Sequence, residues 1–382
     1  VDYPFGKERQ YFPILKNKIQ LSSCSQSAMS LQVEAAIKEY TDGWLAEGMD
    51  WTGWVHRVEM AKQSFATLIN ASPDEIAVLP SVSLAAAAVA SALQFTTRRN
   101  KVVTTEMDFP SIGHVWLAQQ SRGAQVAFVP SENNEIPIEF YDQCVDEQTL
   151  IVSMSHAAYY NGLKQDLKQI SSIVHDKGAW LFVDAYQSAG CVAIDVKEMD
   201  VDFLAAGAQK YLLGIPGIAF LYVKKELASE LQPSITGWFG RIDPFSFDVK
   251  SLDYAEGTRR FDTGTPPMIN AYAAHAALEL INQIGVNRIE SYLNELSSFA
   301  ISYGQEKGLT IASPLDLQRK AANTAFHCPN ASLIEMKMRE RGVIVSARND
   351  VIRIAPHFYN KKEEVAIAID TLYELKSQFA GV

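Results

Sequence analysis

The sequence predicts an α/β protein: a mainly parallel sheet sandwiched by helices, followed by a smaller α+β C-terminal domain. Three observations lead there. Short apolar runs alternate with helical patterns from residue 76 to about 223, and such alternation builds parallel sheets covered on both faces. After about residue 268 the pattern changes to long helical stretches leading into weaker strands. A length of 382 residues, at about 150 per domain, suits two domains.

After an irregular arm over 1–20, the helical spacing of Val33, Ile37 and Tyr40, then of Val58, Phe65 and Ile69, predicts helices over 31–47 and 54–70. Residues 76–79 read as a strand and precede an Ala-rich helix from 84. A strand over 101–105 precedes a helix at 111–121, and a strand over 125–129 follows. Then come a strand over 150–154, a helix at 166–177, and strands over 180–183, 201–205 and 218–223. Helices over 268–284 and 287–306 open the second domain. Strands near 322–327, 343–346 and 351–354 surround a helix at 330–341, and a helix over 361–379 closes the chain. The expected division is an arm at 1–20, a large domain at 21–267 and a small domain at 268–382.

The balance of 34 basic against 44 acidic residues gives a net charge of −10, which repels nucleic acids and anionic membranes. The basic pairs Arg98-Arg99, Lys224-Lys225, Arg259-Arg260 and Lys361-Lys362 are too short and scattered to reverse that. Cys24, Cys144, Cys191 and Cys328 lie far apart with no CxxC, so no metal site is expected, and reduced thiols in the cytoplasm are the simplest reading. The first residues carry charge and proline where a signal peptide needs an apolar run. No apolar stretch reaches the roughly 18 residues of a membrane span.

In open parallel sheets the ligand crevice lies at the carboxyl ends of the strands, so groups placed there are the candidates. Asp184 ends the apolar run Trp180-Leu-Phe-Val183 and is followed by small residues; taken alone it reads equally well as a turn or helix-cap residue. Lys210 stands in the apolar, glycine-rich stretch from Val201 to Gly217. A lone lysine after a strand is usually solvated, but these neighbours would desolvate the amine and lower its pKa, as a Schiff-base lysine requires. One helical excursion and one strand separate the two groups, so both can face one crevice.

These residues carry a resemblance. Asp184-x-x-Gln187, the Lys210 segment, Arg260-Phe-Asp-Thr-Gly264-Thr265-Pro266-Pro267 and Arg353-Ile-Ala-Pro-His-Phe-Tyr359-Asn360 recur in order in fold type I pyridoxal-phosphate enzymes. The chain resembles the class V aminotransferase superfamily, which includes cysteine desulfurases and kynureninases. The resemblance implies a pyridoxal 5'-phosphate enzyme acting on an amino acid through an external aldimine and α-proton abstraction. Asp184 would keep the pyridine nitrogen protonated, Gln187 would reach the phenolic oxygen, and Lys210 would bind the cofactor and shuttle the α-proton. Ser83 and the Val82 amide, at the start of the Ala-rich helix, would cradle the phosphate with Gln209. Family members often have His, Tyr or Ser just ahead of the lysine, whereas Gly207 here supplies no hydroxyl. Phe109 would stack on the ring. Arg353 would grip the α-carboxylate with a planar guanidinium, and Ser23 would line the substrate side. Trp238, in Gly-Trp-Phe-Gly, and Thr265 resemble loops that reach a neighbouring subunit's phosphate, which implies a homodimer.

Departures narrow the activity. A desulfurase of the persulfide type needs a cysteine on a loop just ahead of Arg353, where Ser346-Ala-Arg-Asn-Asp350 stands. A kynureninase has an Asp shortly after its Phe-Pro pair, where Ile112 stands, and a His where Arg241 stands. The remaining expectation is a class V aminotransferase-like enzyme acting on an α-amino acid, with a β-eliminating lyase (kynureninase-like or C–S lyase) as the alternative, and the motifs alone do not decide between them. A catalytically idle binding protein is disfavoured, because it has no reason to keep Lys210, Asp184 and Arg353 together.

Overall fold

The computed structural model describes residues 3–379. Seven strands form the central sheet: β1 (Ile76–Leu79), β2 (Lys101–Thr105), β3 (Gln125–Val129), β4 (Thr149–Ser155), β5 (Trp180–Asp184), β6 (Phe203–Gly207) and β7 (Ala219–Val223). Their spatial order is β1-β7-β6-β5-β4-β2-β3. Strand β7 runs antiparallel to both neighbours, and every other pair is parallel. Alternate residues feed two apolar layers: Leu181, Val183, Leu204 and Phe220 pack on one face, and Phe182, Phe203, Ala205 and Leu221 on the other. Both faces are therefore covered, as the continuous apolar runs require.

Side-chain caps start the helices that flank the sheet. Asp50 accepts from Gly53 N at the head of Trp51–Leu68, Ser81 from Leu84 N at Val82–Ala92, and Asp166 from Gln169 N at Leu167–Asp176. Ala85, Ala86, Ala88 and Ala90 of the Val82–Ala92 helix are fully buried. Their small side chains fill the second apolar layer beneath a helix whose N-terminus opens at the strand ends.

The second unit holds β8 (Thr324–His327), β9 (Ser346–Arg348) and β10 (Val351–Ile354) in the order β9-β10-β8, all antiparallel. Helices Val286–Glu306 and Lys362–Gln378 pack beside them. The N-terminal arm is built into this unit: Ile19–Gln20 pairs with Val343–Ile344, and Phe5 packs edge-on against Tyr292 at 5.3 Å. Helix Met268–Ile284 packs instead on Leu31–Glu47 and Trp51–Leu68, on the large side of the molecule. Among the described residues no helix is long and apolar enough to cross a membrane.

Candidate active site

Loops at the carboxyl ends of the parallel strands enclose a cavity of about 370 Å³. Its wall brings together Val82, Ser83, Phe109, Asp184, Gln187, Gln209 and Lys210 from four separate segments of the chain. A larger groove of about 710 Å³ opens elsewhere, and its basic groups are already paired: Lys164 with Glu290, Lys168 with Glu198 and Arg319 with Glu135.

Asp184 is the last residue of β5, buried between Ser155 of β4 and Ala205 of β6. Its Oδ1 accepts the Tyr186 N–H at 2.9 Å, and its other oxygen has no donor among the described residues. Burial pushes the carboxyl up to about 6, against the Tyr186 N–H and the Lys210 charge, which pull it down. A cationic N–H presented to the free oxygen would restore full ionisation.

Lys210 follows β6 in a turn whose backbone is pinned. Its carbonyl accepts Ser27 Oγ at 2.6 Å and Leu213 N at 3.1 Å, and Leu213 closes the turn in the left-handed region at φ 61°. Burial presses the ammonium down to about 8, opposed mainly by Asp184. Its Nζ lies 4.1 Å from the Tyr186 ring centroid and 5.6 Å from that of Phe109. Gly207 explains how Tyr186 fits: a Cβ there would fall on the phenol ring. The hydroxyl missing from position 207 is thus replaced in space by that of Tyr186, a residue that sequence reasoning passed over.

Ser81 is the cap of the Val82–Ala92 helix, which leaves the first-turn amides of Val82 and Ser83 without side-chain acceptors at the cavity wall. Phe109 stands at the head of Pro110–Ala118, edge-on to Tyr159 at 5.2 Å. The buried Asp108 carboxylate holds this loop by accepting from Thr104 Oγ1, Thr105 N and Ser155 N at 2.7, 3.0 and 2.7 Å. Its acid-between-strand-and-helix position was the available signal, and it was missed. Gln187 Nε2 donates to Cys24 O at 3.0 Å, and Gln209 Nε2 to Ser25 O at 3.3 Å, so both amides tie the cavity wall to the segment at 24–25.

Arg353, in β10, is almost fully buried. It donates to Tyr159 O at 2.8 Å and to Ser25 Oγ at 3.0 Å, both on cavity-lining residues, while its Nε–H has no partner. No carboxylate pairs with it among the described residues. Such a guanidinium is held by its edges and remains short of an anion.

Three expected residues lie elsewhere. Ser23 does not face the cavity: it is fully buried and bonded to Tyr359 Oη at 3.1 Å, because its backbone pairs with Ala355 and turns the side chain inward. Ser25, two residues on, occupies the wall instead. Trp238 packs against Trp51 at 5.6 Å and Phe239 at 4.6 Å, and Thr265 is exposed on an adjoining loop. Neither Trp238 nor Thr265 touches the cavity of its own chain.

Comparison with known proteins places this geometry. The family model described as aminotransferase class-V matches residues 24–367. The chain is 45% identical over 364 residues to the uncharacterized aminotransferase YcbU of Bacillus subtilis, covering 95% of this chain and 96% of that one. It is 28% identical to a probable cysteine desulfurase of Methanothermobacter thermautotrophicus, covering 96% and 97%. The fold superposes on the apo structure of a cysteine desulfurase from Thermococcus onnurineus with a TM-score of 0.89, at 23% identity and 99% coverage of both chains. The chain therefore belongs to the aminotransferase class-V family of pyridoxal-phosphate-dependent enzymes.

Proposed function

We propose that the protein is a transaminase of α-amino acids that works through Lys210, Asp184 and Arg353, with β-elimination as the alternative the same three groups serve. The carrying observation is their convergence: a lysine pressed toward its neutral form and a carboxylate line one cavity, and an arginine without an ion-pair partner among the described residues is bonded to two residues of its wall, Tyr159 and Ser25. These residues fit pyridoxal phosphate. The Val82 and Ser83 amides and the Ser83 hydroxyl would hold the phosphate, where the helix N-terminus favours negative charge. Phe109 would cover the ring, and Asp184 would accept the pyridine N–H. Gln187 has a second amide hydrogen free for the phenolic oxygen.

Bound pyridoxal phosphate acts as an electron sink that acidifies the Cα–H of an attached amino acid. The chain's own residues do the rest. Arg353, anchored on Tyr159 O and Ser25 Oγ, orients the substrate through its α-carboxylate. Lys210 Nζ, whose neutral form burial brings in at about 8, would take the α-proton and deliver it to the next carbon. Phe109 and Tyr186 exclude water from the lysine's surroundings.

An enzyme-bound persulfide is not supported: none of the four cysteines lines the cavity, and a two-residue hairpin turn at Asn349-Asp350 closes the place where a desulfurase cysteine loop would stand. The decisive experiment is stopped-flow spectroscopy of the holoenzyme against an amino-acid panel. Transamination gives a pyridoxamine absorbance and one keto acid per turnover. Release of ammonia with pyruvate, without the pyridoxamine form, would replace it with lyase chemistry.

The reading extends to assembly as a homodimer. Trp44, Leu45 and Met49 at the end of one helix and Phe245, Phe247 and Val249 in a facing loop are all exposed, around the Trp51–Trp238 contact. Contiguous apolar surface of this kind marks an interface, and it brackets the two residues, Trp238 and Thr265, expected to serve a partner's cofactor. Sedimentation velocity at micromolar concentration should give one species near twice the 42.3 kDa chain mass, and a monomer would defeat this part of the proposal. Four free cysteines fit work in the reducing cytoplasm. The large domain, with helix Met268–Ile284 packed on it, would hold the cofactor, and the smaller unit, which takes in the N-terminal arm, would supply the carboxylate grip.

A further inference from the structure

The hairpin that carries Arg353 holds a second arginine for which the α-carboxylate reading has no use. Strand β9 pairs Ser346 with Arg353 and Arg348 with Val351, so Arg348 lies on the same sheet face as Arg353. The two are diagonal neighbours, with backbones about 7–8 Å apart. Arg348 reaches the rim of the cavity and is one of its lining residues. It forms no ion pair among the described residues, and its one hydrogen bond is to the neighbouring Ala347 O at 3.3 Å.

The hairpin is braced as a presenting arm. Asn349 takes the left-handed conformation at φ 46°, and Asp350 accepts Tyr160 Oη at 2.8 Å and meets His327 Nδ1 at 3.1 Å. The nearest acid in sequence, Asp350, is therefore engaged with Tyr160 and His327 and leaves Arg348 unpaired. At the cavity itself the only lining carboxylate among the described residues is Asp184, on the floor, against Lys210, Arg348 and the adjoining Arg353. In a chain of net charge −10, the protein side chains around this small volume carry a surplus of positive charge, counted before the cofactor's phosphate. One carboxylate satisfies Arg353 and leaves the second guanidinium without a counter-charge.

We propose that Arg348 binds a second carboxylate, at the far end of the substrate side chain, and that the preferred substrates are dicarboxylic α-amino acids. This rests on the catalytic reading above. Arg353 fixes the α-carboxylate and Arg348 reads the distal one, so the two guanidinium groups together measure the substrate's charge at both ends. Neutral amino acids of the same length fill the cavity but leave Arg348 unpaired.

The test measures dissociation constants of aspartate, glutamate and 2-aminoadipate, and of asparagine, glutamine and norleucine, from visible difference spectra of the holoenzyme. Wild type should bind at least one acid about 10- to 100-fold more tightly than its neutral counterpart, the worth of one charged contact. Arg348→Gln should erase most of that ratio, and Arg348→Lys should restore part of it. Glutarate, which has no amino group, should compete with substrate in wild type and lose affinity in Arg348→Gln. Equal losses for acidic and neutral ligands in Arg348→Gln would overturn the proposal by placing Arg348 on the α-carboxylate or in the scaffold. A wild type without acid preference would overturn it too, while leaving the catalytic reading intact. A purified protein with no Lys210-bound chromophore would overturn both.

Discussion

Alanine at position 210 is expected to lower turnover by about 10⁴-fold or more, since one substitution removes both the group that captures the cofactor and the base that moves the α-proton. The loss should fall on kcat, with the fold unchanged by circular dichroism, because the Lys210 backbone is held by Ser27 Oγ and Leu213 N and not by its side chain. The same amine predicts a pH dependence. Only the neutral form attacks the cofactor's aldehyde, and burial brings that form in at about 8, well below the ordinary 10.5. Cofactor uptake by the stripped protein should therefore rise with pH through about 8 and level above it. A rise that continued toward 10.5 would mean that Lys210 is solvated.

The second large effect belongs to Arg353. Arg353→Lys keeps the charge but not the planar fork that matches a carboxylate. Loss of one or two charged hydrogen bonds, each about 1.5–3 kcal/mol, corresponds to a fall in kcat/KM of about 10²-fold, carried mainly by KM. Arg353→Ala strips the donors from Tyr159 O and Ser25 Oγ as well, and should also lower thermal stability. An Arg353→Lys enzyme with unchanged KM for every amino acid would remove the arginine from substrate binding.

Much of this arrangement was legible in the sequence. Strands β1, β2, β3 and β10 occupy the expected 76–79, 101–105, 125–129 and 351–354, because each is an apolar run set between turn or helix signals. Strand β6 runs over Phe203–Gly207, two residues beyond the expected 201–205: Val201 and Asp202 lead into it, and Ala206 and Gly207 continue the ladder against β7. Helix Ile138–Cys144 was missed, since seven residues hold too few turns to show a period. The insertion of β7 between β1 and β6 was not legible either, because pairing partners 140 or so residues apart leave no local mark.

The site divides the same way. Asp184 and Lys210 stand out in the sequence because strand ends and apolar context are local properties, and the structure sets both at one cavity. Ser25 stands at the wall in place of the expected Ser23, because which of two nearby serines faces a cavity depends on a backbone pairing with Ala355, far along the chain. Arg348 went unnoticed for a related reason: in a short strand a slip of one residue reverses every side chain, so its alignment with Arg353 appears only with the register. Tyr186 was hidden by its partner, since only the empty volume over Gly207 reveals what the tyrosine fills.

The most direct test of the whole account is borohydride reduction of the purified holoenzyme, followed by proteolysis and mass spectrometry of the Lys210 peptide. Reduction should abolish the visible absorbance and fix a pyridoxyl group on Lys210 and on no other lysine. A reduced protein whose Lys210 peptide is unmodified, or whose label sits on the buried Lys62 or Lys320 instead, would contradict it.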